Sequence, residues 1–184
     1  ARRVLVEELE GTLETIAKDA KVQVVFNPEV VERWRLLGYE NRDIADADFR
    51  NDKKDAGEIG AGHAVTALFE VVLHEDVPPG RSLAVWRVRY RDPDDGRWIE
   101  ESRNLTRADF AASWDEAPPA LRLAGLVAWT AEVLARAPGS SPAELAGLHR
   151  RLETLVAERW PADPRKTELV SLVGQAARAV ERPE

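Results

Sequence analysis

An α+β fold is the class this sequence predicts, ordered as an N-terminal helix, an antiparallel β-sheet or sandwich-like subdomain, and a C-terminal bundle of about three helices. Three observations predict it. Apolar residues recur at helical spacing at both ends of the chain, they alternate at strand spacing through the middle, and the two patterns are segregated rather than interleaved. The expected division is 1–19, 20–103 and 104–184.

Leu5, Leu9, Leu13 and Ile16 recur three and four apart, which predicts a helix ending near Asp19; Gly11 weakens it by about 1 kcal/mol relative to Ala. Lys21-Val22-Gln23-Val24-Val25-Phe26 then reads as a strand closed by Asn27-Pro28. Val30 to Tyr39 predicts a second strand and His63 to His74 a third, with Val65, Ala67, Phe69, Val71 and Leu73 on one face. Leu68 and Val72 on its other face imply that both faces are covered.

Ser82 to Arg91 alternates, with Ala84, Trp86, Val88 and Tyr90 opposite Arg87, Arg89 and Arg91. Asp92-Pro93-Asp94-Asp95-Gly96 is turn chemistry, so Arg97 to Ser102 is expected to return as the partner strand. A five-residue loop there sets Tyr90 against Trp98 and Arg87 against Glu101, pairs worth roughly 0.2–1 kcal/mol each.

From about Asn104 the pattern is helical. Pro118 to Ala137 is apolar nearly all round, which predicts a buried helix stopped by Pro138-Gly139. Ser141-Pro142-Ala143-Glu144 has a Ser N-cap, Pro at the first position and Glu at the third, a capping box ahead of Leu145, Leu148, Leu152, Leu155 and Val156. Asp163-Pro164 restarts the chain in the same way before Leu169, Leu172, Val173, Ala176 and Val180. Short connections make these helices antiparallel neighbours.

Composition bounds the function. The 184 residues allow one domain or two small ones, and 44% apolar with 32% charged residues is an ordinary globular balance. A net charge of -7 disfavours non-specific nucleic-acid binding, which needs a concentrated positive surface. No apolar run approaches the roughly 20 residues needed to span a bilayer. Without cysteine, disulfide and thiolate chemistry are excluded. Without methionine, and opening in mid-pattern at Ala1-Arg2-Arg3, the chain reads as a fragment of a longer protein.

The stretch from Leu36 to Glu70 joins two expected strands through a long, acidic, Gly-rich connection, and long connections of this kind are functional or disordered. It also carries a family likeness. Val6-Glu7-Glu8-Leu9, Gly11-Thr12-Leu13, Ile16-Ala17-Lys18-Asp19, Val22-Gln23-Val24 and Phe26-Asn27-Pro28 open the pattern. Leu37-Gly38-Tyr39-Glu40-Asn41-Arg42, Asp48-Phe49, Asn51-Asp52, Asp55 to His63 and Val65-Thr66-Ala67-Leu68 continue it. In order and spacing these segments resemble the C-terminal region of bacterial YfbK-type proteins that contain a von Willebrand factor A (VWA) domain. The likeness is specific over 4–73, fades between Leu73 and Asp109, and returns weakly at Ala124–Arg136 and Asp163-Pro164. Arg50 departs from it, standing where a small polar or acidic residue is more usual.

The resemblance implies that 1–19 is the remnant of the last VWA-domain helix, that the parent is exported or envelope-associated, and that its own VWA domain and another protein are the partners. An A domain's metal site begins with Asp-x-Ser-x-Ser, which this chain lacks, so no cofactor is expected in it and any divalent cation belongs to the missing domain.

Asp46, Asp48, Asp52, Asp55 and Glu58 are hard oxygen donors for calcium, but the EF-hand template fails: from Asp46, its glycine position holds Asn51 and its final glutamate position holds Gly57. Lys53 and Lys54 also interrupt the cluster, so side chains bonding to nearby backbone is the better reading. His63 with Asp55 and Glu58 has the residue types of an acid–base group, yet no nucleophile context accompanies it. Gly60-Ala61-Gly62 is not a phosphate loop, because no Lys-Ser/Thr follows. Arg87, Arg89 and Arg91 read as a solvated sheet face or a charge-protected edge. The six tryptophans show no stacking rhythm, and one or two suit interaction anchors.

No catalytic, cofactor-binding or metal residue is assigned; Asp52, Asp55, Glu58 and His63 are the interaction candidates. The leading expectation is a non-enzymatic interaction module of a VWA-containing protein. A structural clamp or stalk on the VWA domain is the second reading, and a hydrolase using Asp55, Glu58 and His63 the third.

Overall fold

A computed structural model describes residues 14–38, 48–52, 56–78, 80–135 and 141–180. Among these residues six strands precede three α-helices: β1 Thr15–Phe26, β2 Val31–Leu37, β3 Gly57–Gly60, β4 Leu68–Leu73, β5 Ser82–Arg91 and β6 Trp98–Thr106, then α1 Pro119–Ala135, α2 Pro142–Arg159 and α3 Pro164–Val180. This is the α+β arrangement expected. The chain divides into two compact units, 1–35 with 41–67 and 71–109, and 36–40 with 68–70 and 110–184.

Four strands form a sheet in the order β3-β1-β5-β6, and β2 and β4 form a two-stranded ribbon. The pairs β1–β3, β1–β5 and β5–β6 are antiparallel. β1 is long because its first half pairs with β3 and its second half with β5 (Thr15↔Gly60, Val22↔Val88, Phe26↔Ala84). The change of partner falls at Asp19, whose φ of 52° places it in the left-handed region at a break in register.

The expected N-terminal helix does not extend to Asp19. Thr15 to Asp19 are strand, because cross-strand pairing outweighs the helical spacing of Leu13 and Ile16. The remainder of that helix, 1–13, lies outside the described residues. The third expected strand is also shorter than His63–His74: only Leu68–Leu73 is extended, and Val65 is 93% exposed. Asn104 to Thr106 complete β6 rather than opening a helix.

The β5–β6 register differs by one residue from expectation. Tyr90 faces Ile99, Arg91 faces Trp98 and Arg87 faces Ser102. The turn itself explains the shift. The Asp92 N–H donates to the Arg97 carbonyl (2.9 Å) and the Gly96 N–H to the Asp92 carbonyl (3.0 Å), so 93–96 form the loop. Asp92 and Asp95 side chains accept from the N–H groups of Asp94 and Arg97, and Gly96 takes φ 73°.

The helices α1 and α3 both pack on α2 and make few contacts with each other. Leu126 and Val133 of α1, Leu145, Leu148, Leu152 and Leu155 of α2, and Val173 and Ala177 of α3 form the core. The expected starts are found. Ser141 Oγ accepts from the Glu144 N–H (3.4 Å) ahead of Pro142, and Asp163 Oδ1 accepts from the N–H groups of Arg165 and Lys166. Glu144 also reaches α1, accepting from Trp129 Nε1 at 3.0 Å.

Candidate functional site

The acidic connection and the arginine face, separate features in the sequence, meet in space. Lys21 of β1, Arg89 of β5 and Glu100 of β6 stand opposite one another, one cross-sheet row of charges. Residues 48–52 lie on that row. Lys21 Nζ donates to the carbonyls of Asn51 (2.7 Å) and Asp48 (3.4 Å) and is 2% exposed. Arg89 pairs with Asp52 at 2.8 Å and with Glu100 at 3.5 Å, its guanidinium 4.4 Å from the centre of the Trp98 ring. Arg50 grips Glu100 with Nε at 3.2 Å and a second nitrogen at 2.7 Å.

The segment is shaped for this position. The Asn51 N–H donates to the Asp48 carbonyl (3.1 Å) and the Asn51 amide to the Asp48 carboxylate (3.0 Å), making a turn that buries Phe49 to 5% exposure. Arg50, the departure from the family pattern, has a use here as the bidentate partner of Glu100. That bond, with the charges of Arg50 and Arg89, holds the Glu100 carboxyl below its ordinary range.

The arginine stripe is therefore not on an edge strand, and its face is solvated at Arg91 but not at Arg89. β5 is a central strand, Arg89 is 14% exposed at its side chain, and Arg87 donates to Gln23 at 3.2 Å. The sequence signal was charge complementarity between Asp48, Asp52 and the arginines, but nothing local says that two segments so far apart touch.

Asp52 thus serves an ion pair. Asp55 and Asp46 lie outside the described residues. Glu58 stands exposed on β3, and His63 is exposed just beyond it, its N–H donating to the Gly60 carbonyl at 3.1 Å. Among the described residues no three of His, Asp and Glu converge as a metal site requires. Arg50, Lys21, Arg89 and Glu100 each spend their charge on a neighbour, which is the chemistry of a brace.

A second surface was missed. The helix α1 carries only Arg122 and Glu132 as charges in its 17 residues, and the sequence predicted it buried. Only Leu126, Thr130 and Val133 are; Leu121, Val127 and Leu134 are 48%, 36% and 38% exposed. Ala120, Val127, Ala131 and Leu134 fall seven, four and three apart, so they share a face, and all four are exposed. The cause is architectural: among the described residues, α1 has a helix neighbour, α2, on one side alone. No helix among the described residues is long and apolar enough to cross a membrane.

The family described as "Uncharacterized protein YfbK, C-terminal" matches residues 11–179. The chain is 42% identical over 90 residues to "Uncharacterized protein YfbK" of Escherichia coli (strain K12), an overlap of 49% of this chain and 15% of that protein. The chain therefore covers well under two thirds of that relative's length. No solved structure matches it.

Proposed function

The chain belongs to the YfbK C-terminal family, and we propose that it is a non-enzymatic interaction module of a longer bacterial protein that carries a VWA domain. One observation carries the reading: the uncovered apolar face of α1. A helix apolar on all sides is stable when both sides are buried, and an exposed contiguous apolar strip marks a surface that another protein or domain covers. Val127 and Leu134 are its most prominent side chains, set against small alanines that let a partner approach closely. The acidic connection supports the same reading by its chemistry, because its charges brace the sheet and Asp52 is taken up by Arg89.

The partner this reading names is the VWA domain of the same protein, with a second protein beyond it. The test is capture of a separately expressed VWA domain by the intact chain and by the Val127→Asp/Leu134→Asp double variant. Both sites are already exposed, so the variant should keep its circular dichroism and melting temperature. It should lose capture. Equal capture by both forms would overturn the assignment of the surface.

A further inference from the structure

We propose that a cationic groove in the helical unit binds an acidic, partly apolar peptide segment of a protein partner. The groove, about 450 Å³, lies between α1, α2 and the turn that precedes α1. Its size falls in the range of ligand sites, roughly 300–1,000 Å³. Arg122, Arg150 and Arg151 line it, the half-exposed Trp114 ring is its apolar wall, and the core residues Leu126 and Leu155 lie beneath it.

Charge is the first argument. The chain carries a net -7, yet three guanidinium groups face this groove with Asp115 the sole carboxylate lining it. Asp115 holds Arg122 loosely, at 3.2 Å from its carboxylate and 3.4 Å from its carbonyl, and is itself 87% exposed. Arg122 is 17% exposed, and its Nε is buried without an acceptor. Arg150 and Arg151 make no ion pair among the described residues, and both are exposed. Guanidinium forks match carboxylates in two-point contacts, so the groove is short of negative charge and shaped to take it.

Pre-organisation is the second argument. The Trp114 ring rests on Gly125: a Cβ placed there would lie 2.7 Å from the ring. The turn is fixed by the Glu116 N–H donating to Ser113 Oγ (3.3 Å) and the Ala117 N–H to the Trp114 carbonyl (3.2 Å). An indole wall 44% exposed beside free guanidinium groups has the composition of an interface anchor. The indole wall separates the candidates: free phosphate makes no use of it, whereas a peptide with alternating glutamate and leucine uses both the guanidinium groups and the Trp114 ring.

The inference rests on the interaction-module reading but uses a different face, so its test is independent of α1's outer strip. A short labelled peptide alternating glutamate and leucine is titrated into the intact chain by fluorescence anisotropy. Saturable binding is expected, weakening with salt. Replacing glutamate by glutamine in the peptide, or Arg150→Gln/Arg151→Gln in the protein, should each weaken it about tenfold or more. Both arginines are exposed, so that variant should fold normally. Unchanged binding in either arm overturns the proposal. So does displacement of the peptide by inorganic phosphate, which would make this a small-anion site, or tighter binding of a single-stranded oligonucleotide. Absence of peptide binding by the intact chain, with its VWA capture retained, would strike the groove alone, and peptide binding without VWA capture would strike the module reading alone.

Discussion

Lys21 shows how one side chain fixes a loop. Its ammonium is almost fully buried and ends on two backbone carbonyls of the segment it holds, so replacement by an apolar residue of similar length removes charge-assisted bonds and keeps the volume. Lys21→Met should cost about 1–3 kcal/mol in denaturant unfolding and remove hydrogen-exchange protection from Phe49 to Asp52. Lys18→Met, on the same strand and half-exposed, should stay within about 0.5 kcal/mol. Unchanged exchange at Phe49 in Lys21→Met would show that the ammonium does not hold the segment. The sequence made Asp52 visible as a charged candidate but not its partner. The row Lys21, Arg89, Glu100 is assembled by strand register, which local pattern does not encode, and the hairpin turn alone moved that register by one residue.

At the scale of elements, the α2–α3 crossing depends on Gly174. A Cβ there would sit 2.7 Å from His149 Nε2 and 3.1 and 3.2 Å from ring carbons. Gly174→Ala gains about 1 kcal/mol of helix propensity, but the half-buried ring must be displaced, and overpacking costs about 1–3 kcal/mol. The net expected change is destabilising. In a His149→Ala background the same substitution should become stabilising, by up to about 1 kcal/mol. A double-mutant cycle in urea reads this directly; additive effects would mean the ring and the glycine are not coupled. The helices were legible because their apolar residues repeat at 3.6 and their starts carry Ser141-Pro142 and Asp163-Pro164. β3 was not, since Gly-Glu-Ile-Gly has neither length nor alternation and exists by pairing with β1. The exposure of α1 was illegible for a related reason: composition says that a helix is apolar all round, not how many neighbours it has.

For the whole molecule, acid is the discriminating variable. Four carboxylates are moved downward: Glu100 by its bond to Arg50, Asp95 by the N–H of Arg97, Asp109 by the N–H of Thr106, and Asp163 by Lys166. A carboxylate whose folded pKa lies below its unfolded value contributes stability that is complete above about pH 4 and is lost as pH falls through the lower folded value. The urea midpoint should therefore hold between neutral pH and about pH 5 and fall below about pH 4. Glu100→Gln and Asp109→Asn should be less stable than the natural sequence at pH 7 and converge with it near pH 2, where the natural carboxylates have lost their charge as well. A constant gap across that range would assign their effect to packing rather than ionisation. Net charge passes through zero near pH 5.2, where an exposed apolar strip on α1 favours self-association through reduced repulsion. Light scattering should rise near that pH and clear below it, while loss of structure begins only at lower pH. In Val127→Asp/Leu134→Asp the scattering maximum should shrink and the acid unfolding curve stay in place, because one process acts through the helix face and the other through the braced carboxylates.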